Sequence, residues 1–135
     1  MNQKELESII LAGEDSQHQF KVYLQRAESL AQEMVAFSNS KGGQLIIGVA
    51  DDGQLVGLKK QDVARLNQLI SNAATQNVRP PISVITENIV CTNGIPTLST
   101  SNFSSIVFSH NKFGILTTQQ QLGWLIYAQF RDKKA

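Results

Sequence analysis

Ala36-Phe37-Ser38-Asn39-Ser40-Lys41-Gly42-Gly43-Gln44-Leu45-Ile46-Ile47-Gly48-Val49-Ala50-Asp51-Asp52-Gly53-Gln54-Leu55-Val56-Gly57-Leu58 is the stretch that decides the fold. It reads as the end of a helix, a double-glycine corner, a strand, a tight acidic turn and a returning hairpin arm. Paired glycines tolerate a positive φ, so Gly42-Gly43 ends the helix with a sharp exit. Gln44 to Ala50 is apolar with little alternation, which predicts a strand buried on both faces of a sheet covered by helices. Asp51-Asp52-Gly53 is turn chemistry, and Gln54 to Leu58 pairs back on the strand. Gly48 thins the strand where another backbone or a ligand approaches.

Upstream, Leu30, Met34, Val35 and Phe37 line one broad face between Arg26 and Ser40, with Ala27, Ala31 and Ala36 filling the gaps, so the helix entering the corner starts near Arg26. Before it, Phe20, Val22 and Leu24 alternate through His18 to Leu24 as a first strand. Leu6, Ile9 and Ile10 mark a short opening helix that stops at Ala12-Gly13. Downstream, Asp62 caps a helix carrying Val63, Leu66, Leu69 and Ile70, and Arg79-Pro80-Pro81 ends it. Ile82 to Val90 reads as a further strand, followed by a turn at Thr92-Asn93-Gly94. The order α, β, α, β, β, α, β predicts an α/β (α+β) fold: a mixed β-sheet covered by two to three helices in a single domain, residues 1–135.

Beyond Gly94 the periodic signals weaken. Residues 91–135 hold five charged residues and ten Ser or Thr. Ile106 to Phe108 and Leu125 to Tyr127 read as strands, and Leu122 to Phe130 reads equally well as an amphipathic helix.

The 135 residues suffice for one core, since a chain of this size buries roughly two-thirds of its unfolded surface. No apolar run reaches the roughly 18 residues of a membrane span, and the start lacks the basic-then-apolar pattern of a signal peptide, so a cytoplasmic location is expected. Cys91 is the single cysteine, which excludes an intrachain disulfide and reads as a small buried hydrophobe. His18 and His110 form no ligand pair at metal spacing, and no Walker-type Gly-x-x-x-x-Gly-Lys-(Ser/Thr) occurs, which excludes ATP hydrolysis from this piece. Net charge is only +1, divided as eight basic and ten acidic residues through position 90 and four basic and one acidic after it.

Positions 13–58 resemble one family closely: the AlbA-like DNA-binding domain of many bacterial and archaeal transcriptional regulators, some labelled helicase-related, which also forms the core of the Schlafen proteins. Its pattern is a glutamate, then Glu-Phe-Lys, a helix ending in Ala-Phe-Ala-Asn-(Thr/Ser)-x-Gly-Gly, and a strand reading Ile-Gly-Val-x-Asp followed by Gly and a Val-Gly pair. The resemblance spans residues 5–95, and the tail, 96–135, diverges from it. It implies a nucleic-acid-binding module of a transcriptional regulator with DNA or RNA as partner. Lys21, Lys41, Lys59, Lys60 and Arg79, with the backbone amides of Gly42 and Gly43, are the expected phosphate contacts.

In Schlafen nucleases two glutamates and an aspartate hold a metal ion. Carried onto this chain, the first glutamate falls on Glu14 and the aspartate on Asp51, but the second glutamate position holds Gln19. An amide is a neutral, poorer ligand than a carboxylate, so no cofactor is expected, and Mg²⁺ or Mn²⁺ enters only under the nuclease alternative. A third alternative is a homodimerising scaffold built on an apolar patch of Trp124, Leu125, Ile126 and Tyr127.

Overall fold

The computed structural model describes residues 1–92, 100–111 and 115–118. Helix α1, Gln3–Ala12, opens with a capping box: the Asn2 side chain accepts the Glu5 N–H at 2.9 Å, and the Glu5 carboxylate accepts the Asn2 N–H at 3.1 Å. It stops at Gly13, whose φ of 85° only glycine adopts freely. Strand β1, His18–Lys21, leads into α2, Ala27–Ser38, and then β2, Gly43–Ile47, which lies parallel to β1 with His18 opposite Gln44. A helical crossover is what a parallel pair needs.

Helix α3, Lys60–Asn72, continues through a π-helical turn, Ala73–Asn77. Short β3, Val78–Arg79, then long β4, Ile85–Thr92, and β5, Thr100–Phe108, follow, and β6, Thr117–Thr118, pairs with β3. The main sheet has the order β1-β2-β5-β4, with β5 antiparallel to both neighbours.

The alternation of side chains across this sheet builds two cores. Leu45, Ile47, Ile106 and Phe108 face α2 and α3, joined by Leu30, Met34, Phe37, Leu66 and Ile70. Phe20, Ile46, Val49, Ile89 and Phe103 face α1 and meet Leu6. Strand β2 is thus buried on both sides, as its unbroken apolar run requires, and the mixed sheet with three helices is the α+β architecture expected.

Several elements differ from the sequence reading. Gln54–Leu58 is not a regular strand: it touches the sheet through single bridges, Val49 to Leu55 and Leu58 to Asn102, because the positive φ at Gly53 (89°) and Gly57 (80°) keeps turning the chain. Asp62 does not cap α3 but sits in its first turn, where a carboxylate still complements the positive helix end. The strand expected from Ile82 begins at Ile85, since Pro80 and Pro81 precede it and Ile82 donates its N–H to the Ala74 carbonyl at 3.1 Å. The Ile106–Phe108 signal belongs to a nine-residue strand in the middle of the sheet. The turn at Asn93-Gly94, the elements over Leu122–Phe130 and the Trp124–Tyr127 patch lie outside the described residues.

Candidate nucleic-acid interface

Because β1 and β2 run parallel, their carboxyl ends open on the same side, where ligand crevices of such sheets form. There β1 delivers Gln19 and Lys21, the loop before it delivers Glu14 and Asp15, and the turn after β2 delivers Asp51. These five side chains surround one open depression of about 360 Å³. The three positions matched to the nuclease carboxylates, Glu14, Gln19 and Asp51, are thus brought together, with Lys21 among them.

Each member has a defined local state. The Glu14 carboxylate accepts the Phe20 N–H at 2.8 Å, on the side of β1 away from β2. Asp15 accepts the Gln17 N–H at 2.8 Å and meets His18 Nδ1 at 3.0 Å, and these two bonds, the backbone one first, hold its carboxyl below the ordinary aspartate range. Lys21 Nζ lies 3.8 Å from Glu33 of α2. Asp51 is exposed at the tip of the turn, beside Asp52, whose side chain accepts the Gln54 N–H at 3.0 Å.

One of the three matched positions is an amide, one oxygen of a second accepts a backbone N–H, and among the described residues no group of three His, Cys, Asp or Glu side chains is placed to hold a metal ion.

Lys21 also borders a second depression of about 440 Å³ with Tyr23, Gln25, Arg26, Ser29 and Glu33, and Arg26 and Ser29 in turn border a third of about 490 Å³ with Glu28 at the start of α2, giving a path of shared lining residues. Arg65 of α3 braces this path. Its Nε donates to Tyr23 Oη at 2.7 Å, its Nη2 donates to the Leu24 carbonyl at 3.0 Å, and its guanidinium lies 5.0 Å over the Tyr23 ring. Sequence reasoning missed Asp15, Tyr23, Arg26 and Arg65. Asp15 and Arg26 were within reach of it, because each flanks the end of a strand paired in parallel; Arg65 was not, since its partners lie about forty positions away.

The remaining expected contacts lie elsewhere. Lys41 is exposed at the other end of the parallel pair, up to roughly 20 Å from Lys21 at 3.3 Å per residue. Lys59 and Lys60 begin α3, and Arg79 follows its far end, turned back onto the Thr75 carbonyl at 3.2 Å. At the glycine corner the Gly42 N–H is committed to the Phe37 carbonyl at 2.8 Å, and a Cβ on Gly42 would stand 2.5 Å from the Phe108 carbonyl oxygen. A Cβ on Gly43 would stand 2.4 Å from the Phe37 ring. These glycines make room for β5 and for the Phe37–Phe108 stack, with ring centroids 5.1 Å apart, and the Gly42 amide is not free to cradle a phosphate. Cys91 is buried, and burial, with Glu7 adding to it, pushes its thiol pKa up, away from reactivity.

A crossover pair of parallel strands with polar and charged groups at its carboxyl end, closed by an antiparallel strand, defines a small α+β domain. A family profile described as Schlafen, AlbA_2 matches residues 14–129, and the chain belongs to that family. Among curated proteins, none matches. Membership supports a nucleic-acid-related role. No helix among the described residues is long and apolar enough to cross a membrane.

Proposed function

We propose that this domain binds the sugar-phosphate backbone of DNA or RNA as a module of a transcriptional regulator, along the path from Lys21 past Tyr23 to Arg26. The observation that supports this reading is that neighbouring depressions share lining residues: Lys21 borders the first two, and Arg26 and Ser29 border the second and third. Lys21 and Arg26 stand along this lining among the carboxylates of Glu14, Asp15, Asp51, Glu33 and Glu28, so the contact rests on two cations, which hold a polyanion in position without reading its bases. Lys41, Lys59, Lys60 and Arg79, at the ends of other elements, add contacts only to a nucleic acid long enough to wrap the domain.

Fluorescence anisotropy with labelled single- and double-stranded oligonucleotides at two salt concentrations tests this. Binding at about 50 mM salt is expected, and each cation removed from the contact set lowers the logarithmic salt slope by roughly 0.7–0.9. Lys21→Ala and Arg26→Ala weaken binding more than Lys59→Ala. No binding to DNA or RNA at that salt overturns the proposal.

The metal-dependent nuclease alternative rests on the meeting of Glu14 and Asp51, and the amide at Gln19 counts against it. Incubating tRNA with Mn²⁺ or Mg²⁺ is expected to yield no cleavage that distinguishes the wild-type chain from Asp51→Ala. Cleavage lost in Asp51→Ala would reinstate it.

A further inference from the structure

The two outer edges of the main sheet are finished differently. On β1 the loop before it folds along the free side: Asp15 donates its N–H to the His18 carbonyl at 3.0 Å, and Glu14 takes the Phe20 N–H, so strand addition is blocked there. On β4, among the described residues, one position is closed. The Gln3 side-chain amide donates to the Thr92 carbonyl at 3.0 Å and accepts the Thr92 N–H at 3.1 Å, standing in for a strand partner.

That contact also sets which β4 residues face outward. Thr92 turns its backbone away from β5, and Asn102, opposite Val90, gives its carbonyl to the Leu58 N–H at 2.7 Å and so turns away from β4. By the alternation of an antiparallel ladder, Val90, Asn88 and Thr86 all present N–H and C=O to the open edge. Among the described residues no strand pairs there. The side chains of Ile85 through Asn88 and of Val90 are exposed, with Ile85 at 67% and Val90 at 57%.

We propose that a second copy of this chain pairs with this edge, β4 against β4 in antiparallel register about a twofold axis at Asn88. This register sets Asn88 opposite Asn88 of the second copy and Thr86 opposite Val90, giving roughly six backbone hydrogen bonds at two per facing pair. Two features fit a copy of the same strand. An amide facing its own twin is self-complementary, donor to acceptor. The strand carries one charged side chain, Glu87, and this register sets it opposite Ile89 of the second copy rather than opposite its twin. The Gln3 clasp ends the seam after Val90. Two four-stranded sheets become one continuous sheet, and the Lys21 path on the far edge remains open in both copies.

Sedimentation equilibrium or light scattering of the full chain tests the seam at Asn88, a position whose exposure makes the fold indifferent to its side chain. A dimer is expected for the wild type. Asn88→Lys alone and Asn88→Glu alone, each placing like charges across the axis, are expected to halve the mass, and mixing the two variants restores it. A wild-type monomer at high micromolar concentration overturns the proposal and leaves the edge to a strand of another protein. A dimer that both single variants preserve overturns it equally and moves the interface elsewhere on the chain.

Discussion

Asn39 and Leu116 exchange two hydrogen bonds across 77 positions: the Asn39 Nδ2 donates to the Leu116 carbonyl at 3.0 Å, and the Leu116 N–H donates to Asn39 Oδ1 at 3.0 Å. The asparagine that closes α2 therefore acts as an artificial strand partner, fastening the chain after β5 over the glycine corner. Replacing Asn39 by leucine leaves both backbone groups of Leu116 unpaired in a half-buried setting, at a cost of about 2–3 kcal/mol. Asn39→Asp keeps the acceptor, loses the donor, and costs less. Urea denaturation midpoints rank the three proteins in the order wild type, Asn39→Asp, Asn39→Leu.

The same corner separates packing from ligand binding. Gly42 has φ 78°, and its added Cβ would meet backbone, which cannot move aside as a side-chain tip can. Gly42→Ala is expected to lower stability by several kcal/mol, combining left-handed strain with overpacking. Lys41→Ala, one residue earlier and exposed, leaves stability unchanged within about 0.5 kcal/mol. Thermal melts of the pair check this, and equal losses in both would contradict the packing role.

How far the sequence shows all this depends on how local each cause is. The apolar run of β2 and the 3.6-residue pattern of α2 identify the parallel unit, because those patterns are fixed by the faces each element buries. Strand β5 hides from pattern reading, since its buried positions include Ser104 and Ser105 and its partners β2 and β4 come from distant stretches. At the candidate site, the positions of Glu14 and Asp51 are legible through resemblance, and both line one depression. The glycine pair was legible as a corner, yet its packing against Phe108 depends on a contact more than sixty positions away.

Glu14 offers a stability readout independent of any catalytic one. Removing its carboxylate exposes the Phe20 N–H on the free side of β1. Glu14→Ala is expected to cost about 1–2 kcal/mol, while Glu14→Gln keeps a carbonyl acceptor and loses less than half of that. Hydrogen exchange at the Phe20 amide gives the local view: faster in Glu14→Ala, near wild type in Glu14→Gln.

Acid titration probes Asp15. Its carboxyl is held low by the Gln17 N–H and by His18, so the charged form is favoured in the folded chain. The contribution to stability is therefore present above the ordinary aspartate pKa and is lost as pH falls through the lowered value. Carbon-detected NMR is expected to place the Asp15 midpoint below the ordinary aspartate value, and Asp15→Asn should abolish the acid-dependent shift at the Gln17 amide.

Ser104 and Ser105 place two hydroxyl groups on opposite faces of an inner strand of the sheet, and each side-chain oxygen is buried with no hydrogen-bond partner among the described residues. An unpaired buried hydroxyl costs on the order of 1–3 kcal/mol in desolvation, more than the small void that its removal leaves. Ser→Ala at either position is therefore expected to stabilise the domain by about 1 kcal/mol, an unusual sign for a core truncation. The two hydroxyls project into different cores, one beneath α1 and one beneath α2 and α3, so the gains should add within about 0.5 kcal/mol in the double variant. Denaturant melts with an unchanged slope and a raised midpoint would bear this out, and a lowered midpoint in both single variants would mean that each hydroxyl finds a partner in the folded protein.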